Sequence, residues 1–97
     1  MAYVQIIEVK TSRYDEIERL HEAWRANTEG TRTTVGEQVL RDRDHPDTYV
    51  IVVQFPSYKD ALANNDLPAT AKFAEELSAF VDEPPQFRNF DVVSTDT

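Results

Sequence analysis

The stretch YVIVVQFPSYKDALANNDLPATAKFAEEL, residues 49–77, decides the fold. Its first seven residues hold one strongly polar side chain, Gln54. β-Branched and aromatic residues dominate them, which favours a strand over residues 48–55. Alternation puts Tyr49, Ile51, Val53 and Phe55 on one face and Val50 and Val52 on the other. Both faces are apolar, so the strand is expected to be covered on both sides. After Phe55 the pattern turns helical. Ser57 suits an N-cap, with Asp60 three residues on. NNDLP interrupts the helix, and Pro68 fits a first turn better than an interior. The helix then resumes, with Phe73, Ala74, Leu77, Phe80 and Val81 as one apolar stripe.

Working outward, YVQIIEVK over residues 3–10 reads as a first strand. Val4 and Ile6 lie on one side, Tyr3, Ile7 and Val9 on the other. TSRYDEIERLHEAWRANTEG, residues 11–30, changes to helical spacing through Tyr14, Ile17, Leu20 and Trp24. Ser12 and Asp15 predict its cap, and Gly30 its left-handed close. TTVGEQVLRDR, residues 33–43, predicts a second strand, in which Gly36 marks a bulge or a close approach. DHPD at 44–47 predicts a turn. QFRNFDVV, residues 86–93, predicts the fourth strand, and residues 94–97 a frayed tail.

This order predicts an α+β, ferredoxin-like β-α-β-β-α-β domain over residues 1–97. Its four-stranded antiparallel sheet carries both helices on one face. The first and third strands are nevertheless apolar on both faces, and no helix remains to cover the second. A second copy would cover it, so the expectation is a homodimer through the sheet face away from the helices. The plainer reading is that strands are simply rich in Val and Ile.

Composition narrows the function. Lys and Arg number 10 against 18 Asp and Glu, a net charge of −8, which argues against nucleic acid and anionic membranes as partners. There is no Cys, so disulfides, thiolate metal sites and thiol nucleophiles are excluded. No apolar run reaches the ~20 residues of a membrane span, and MAYVQIIEVK does not read as a signal peptide. The expected location is cytoplasmic. RDRDHPD, residues 41–47, offers Asp42, Asp44, His45 and Asp47 as ligands, but on a hairpin interleaved with Arg. No metal is expected there.

A strand ending in an aromatic, the Ser-led helix start FPSYKDAL, the break NNDLP and the resumed helix FAEEL together resemble the dimeric α+β barrel superfamily. More narrowly, they are similar to the antibiotic-biosynthesis-monooxygenase-like (ABM-like) domains. The resemblance covers essentially the whole chain. It implies the ferredoxin-like fold and dimer, and a ligand cavity between helices and sheet. The superfamily includes cofactor-free oxygenases, haem-degrading enzymes, isomerases and members without known activity. In the cofactor-free oxygenases, Asn and Trp near the break in the second helix position substrate. Asn65 matches the Asn in kind, but no Trp follows it. The haem-degrading relatives use an Asn on the first strand and a Trp and a His on the second helix. Here Gln5 stands on the first strand and Phe73 and Leu77 on the helix, which argues against haem. No cofactor is expected.

His21 is the catalytic candidate. Ile17, His21, Trp24 and Thr28 share one helical face, so the imidazole is directed towards the sheet, as a general base or as a hydrogen-bond partner for a substrate oxygen. The plainer reading is a satisfied core-margin histidine. Trp24 and Phe73 are candidate walls, although a lone Trp is more often core. Asn65 and Tyr58, around the break in the second helix, and the strand residues Gln5 and Gln54 complete the substrate-binding candidates. Capping explains Asn64 and Asn65 more plainly, and cross-strand bonding explains the glutamines. Two functions remain open. One is a cofactor-free monooxygenase or isomerase acting on a small hydrophobic or aromatic substrate. The other is a non-catalytic dimer that binds a small apolar ligand or acts as a scaffold.

Overall fold

The structure, a computed structural model, describes residues 1–96. Strands β1 (Tyr3–Lys10), β2 (Gly36–Arg41), β3 (Thr48–Phe55) and β4 (Gln86–Asp91) form one antiparallel sheet in the order β2-β3-β1-β4. Helix α1 (Tyr14–Asn27) links β1 to β2. The β3–β4 crossover carries α2 (Tyr58–Asn65), α3 (Pro68–Leu77) and a 3-10 turn, Ser78–Phe80. This is the ferredoxin-like architecture that the sequence predicts, with the second helix in two pieces. Ser57 caps α2, its hydroxyl oxygen accepting the Asp60 N–H at 3.2 Å, and Pro68 opens α3.

Other boundaries differ from expectation. Ser12 does not cap α1. The buried Thr11 ties down the helix start instead: its hydroxyl oxygen accepts the Arg13 N–H at 2.9 Å and donates to the Phe80 carbonyl. Helix α1 ends at Asn27, and Thr28 caps it by donating both its N–H and its hydroxyl to the Trp24 carbonyl, at 3.0 and 2.7 Å. Gly30 is left-handed, at φ 81°, but lies in the turn beyond the helix. Strand β2 spans only Gly36–Arg41 because the polar groups around α2 take Thr33, whose hydroxyl donates to the Asp60 carbonyl. Strand β4 stops at Asp91. One further backbone bond joins Val92 to Ala2, where its partner strand begins. Residues 94–96 have no regular structure, and Thr97, the last of the expected tail, lies outside the described residues. Gly36 does mark a close approach: a Cβ there would come within 3.0 Å of the Gln54 side-chain oxygen.

In the β2–β3 turn, the Asp42 carboxylate accepts the N–H groups of Asp44 and His45, at 2.8 and 3.2 Å. The Asp44 N–H above all holds that carboxyl below its ordinary range.

The helices pack on one face of the sheet. Two apolar clusters form there. One joins Tyr3, Ile51, Val53 and Phe55 to Ala61 of α2, and the other joins Val9 to Ile17 of α1 and Leu77 of α3. Ile7, in the middle of β1, packs against both. On the other face Val4, Ile6, Val50 and Val52 are only half-buried, and Leu40 and Phe90, opposite Val50 and Val4, are exposed. Among the described residues no element covers that face. Among the described residues no helix is long and apolar enough to cross a membrane.

Candidate functional site

A cleft lies between the two clusters, roofed by α1, α2 and α3 over the helix-covered face. Strand alternation supplies its floor: Gln5 and Ile7 from β1, Ile51 and Val53 from β3, Glu37 from β2. Its inner chamber, about 70 Å³, is lined by His21 and Glu37, with Trp24, Phe55 and Phe73 among its walls. A wider outer cleft of about 360 Å³ continues it past Phe73 to Leu77 and Phe87. Gln5, Ile7, Asn65, Thr70 and Phe73 line both. The inner chamber alone is smaller than the ~300–1,000 Å³ of ordinary ligand sites, but the outer cleft reaches that range.

One face of α1 presents Ile17, His21, Trp24 and Thr28, all buried as the spacing predicts. The sequence left His21 without a partner. The structure supplies one from β2, 16 residues away: Nε2 lies 2.6 Å from Glu37 Oε2, with both side chains largely shielded from solvent. The Arg25 guanidinium lies 3.4 Å from Nδ1. A guanidinium only donates and a carboxylate only accepts. Those contacts therefore fix the tautomer: Nε2–H donates to Glu37, and Nδ1 accepts from Arg25. The result is an acid held by an imidazole in a mostly apolar chamber.

Trp24 is both wall and strut. Its indole N–H donates to Thr70 Oγ1 at 2.9 Å, joining α1 to α3, and its ring lies 5.7 Å from that of His21. Phe73 approaches His21 at 5.9 Å from the other helix. Gln5 donates to the Asn89 side-chain oxygen at 3.3 Å and lines the cleft through the same alternation that places Ile7 there. Asn64, buried, accepts the Thr33 N–H at 3.4 Å, whereas the exposed Asn65 borders the cleft.

His21, Trp24, Gln5, Asn65 and Phe73 thus converge. Two other sequence candidates do not. Gln54 lies on the uncovered sheet face, because alternation gives the covered face to its neighbours Val53 and Phe55. Tyr58 is 55% exposed and packs on Tyr3 at 5.3 Å, at the margin of the first cluster and outside the cleft. Sequence reasoning missed Glu37. A weak signal was present, since two-residue alternation sets Glu37 on the same face as Val39, where a buried acid needs a partner. Among the described residues no group of three or more His, Asp or Glu is placed to hold a metal ion.

No protein-family model matches the chain, and no curated protein matches it. Solved structures do. SnoaB, a cofactor-independent oxygenase from Streptomyces nogalater, superposes with a TM-score of 0.80 at 17% identity, over 97% of this chain and 95% of that one. Rv0793 from Mycobacterium tuberculosis superposes over the full length of both chains, with a TM-score of 0.83 at 9% identity. A Nitrosomonas europaea protein provisionally named an antibiotic biosynthesis monooxygenase gives 0.72 at 21% identity, over 95% of this chain and 90% of that one. The chain has the ferredoxin-like fold of the antibiotic biosynthesis monooxygenase-like domains.

Proposed function

We propose that the chain is a homodimer, paired through its uncovered sheet face, that binds a small hydrophobic or aromatic ligand in the cleft and abstracts a proton from it. The reaction class is cofactor-free oxygenation or isomerisation. The His21–Glu37 pair, set in a mostly apolar chamber, carries this reading. SnoaB's description as a cofactor-independent oxygenase on the same fold agrees with it.

Glu37 is the proton acceptor and His21 its positioning partner. A ligand with an acidic C–H or O–H enters past Phe73 and places that hydrogen at the carboxylate. The Nε2–H of His21 holds the carboxylate in place, and Trp24, Phe55 and Phe73 exclude water, which strengthens charge interactions inside. The ligand anion then either takes its proton back at a different carbon, giving an isomer, or reacts with dioxygen.

Hydrogen–deuterium exchange into 2-tetralone, a flat ketone with acidic C–H bonds, tests the chemistry. In D2O the native chain is expected to accelerate loss of the α-proton NMR signals. Glu37→Gln is expected to reduce that acceleration about a hundredfold, the low end for a general base. His21→Gln is expected to fall between the two. Equal rates for native and Glu37→Gln chains contradict the proposal. Both nitrogens of His21 are already hydrogen-bonded, which favours a second reading, a binding dimer without chemistry. Saturable binding without catalysed exchange would select it.

A further inference from the structure

We propose that the polar pocket between the C-terminal end of α1 and the start of β2 binds a small organic carboxylate through Arg25 and Arg32. The pocket has a volume of about 340 Å³ and is also lined by Thr34, Gly36 and Glu37. It adjoins the inner chamber through Glu37 but is distinct from it, and the inference does not depend on chemistry at Glu37.

Two arginines without a carboxylate partner, brought to the lining of one pocket, are the motivating observation. With 18 acids against 10 Lys and Arg, carboxylates are plentiful. Among the described residues the ion pairs of Lys and Arg are Lys10–Glu83, Arg19–Glu16 and Lys72–Glu76. Arg25 and Arg32 are among the seven of the ten Lys and Arg that take part in none, and both line this pocket. Glu22 stands three residues before Arg25 on α1, the spacing at which helical ion pairs form, and Glu29 lies just beyond the helix end. The Arg25 guanidinium passes both over and turns to His21 Nδ1.

Arg32 is held ready. Its Nη1 donates to the Arg25 carbonyl at 2.9 Å and reaches Thr28 Oγ1 at 3.5 Å, and its guanidinium carbon lies 5.9 Å from the Trp24 ring centre. A fork anchored in this way loses little side-chain entropy when it takes up a ligand. Most of the N–H groups of the two guanidiniums have no acceptor in the protein. A planar carboxylate matches that donor geometry. The neighbouring Glu37 carboxylate is engaged by His21, so the ligand's charge belongs at the arginine side. Taking up the ligand would draw Arg25 away from Nδ1.

The plainer account makes Arg32 a helix C-terminal cap and Arg25 a solvated side chain. Titration with sodium benzoate, followed by two-dimensional amide NMR at constant ionic strength, separates the two. Saturable shifts are expected at the Thr34 and Gly36 amides. Arg25→Gln, at an exposed position that leaves folding intact, is expected to weaken binding at least ~tenfold, as for loss of one charged hydrogen-bonding partner. Arg25→Lys keeps the charge but not the fork, and is expected to bind more weakly than native. Glu37→Gln is expected to retain or improve benzoate binding, which keeps this result separate from the proton-transfer proposal. Four results would each overturn the inference. They are non-saturating shifts, shifts confined to the inner chamber, equal binding by native and Arg25→Gln chains, and equally tight binding of inorganic phosphate.

Discussion

Val52→Asp will behave in solution as a folded monomer of 11.2 kDa, whereas the native chain will behave as a dimer of twice that mass. Val52 lies at the middle of β3 on the uncovered face, opposite Ile6 of β1 and Gln38 of β2. It is half-buried within the chain, so a carboxylate there can be hydrated in the monomer. In a symmetric interface every substitution occurs twice, on surfaces that meet. Two carboxylates removed from water in one interface disfavour association by several kcal/mol, a loss on the order of a thousandfold or more in affinity. Light scattering over a concentration series, with circular dichroism to confirm folding, gives the answer. A Val52→Asp chain that remains dimeric places the interface elsewhere.

Phe55→Ala will destabilise the protein by about 3–5 kcal/mol, the usual range for truncating a buried Phe. Phe55 is 2% exposed, packs at 6.2 Å from Tyr3 and joins the first cluster to the chamber wall. The void left beside an existing chamber cannot readily close, which keeps the loss near the upper part of that range. Phe73→Ala will cost less, because Phe73 is half-exposed between the inner and outer parts of the cleft. Urea unfolding at equal protein concentrations compares them, since dimerisation makes stability concentration-dependent. A loss for Phe55→Ala below that for Phe73→Ala contradicts the assignment of Phe55 to the core.

The fold was legible because its determinants are local and periodic. Two-residue alternation in β3 and β1, the Ser57 cap and Pro68 at the head of α3 each specify an element from a few neighbouring residues. The boundaries that moved depend on distant partners: Thr11 rather than Ser12 fixes α1 through the Phe80 carbonyl, and α2 withdraws Thr33 from β2. The same division governs the site. His21 and Trp24 could be read from the helical face of α1, and Gln5 from its strand. The partner of His21 could not, because Glu37 comes close only after β2 pairs with β3 in the register that sets it opposite Val53. Gln54 was misplaced for a related reason: polarity within a strand does not say which face is covered until the packing of its neighbours is known.

The central claim is that the cleft between helices and sheet is a ligand site. Trp24 reports on it directly. It is the only Trp in the chain, it lines the inner chamber, and its indole N–H donates to Thr70. The most direct measurement follows that single indole N–H signal by NMR as 2-tetralone is added. A saturable shift of the signal is expected, accompanied by the amides of Glu37 and Phe73. An indole signal that stays fixed while added ligand perturbs only the uncovered sheet face, or nothing, would contradict it.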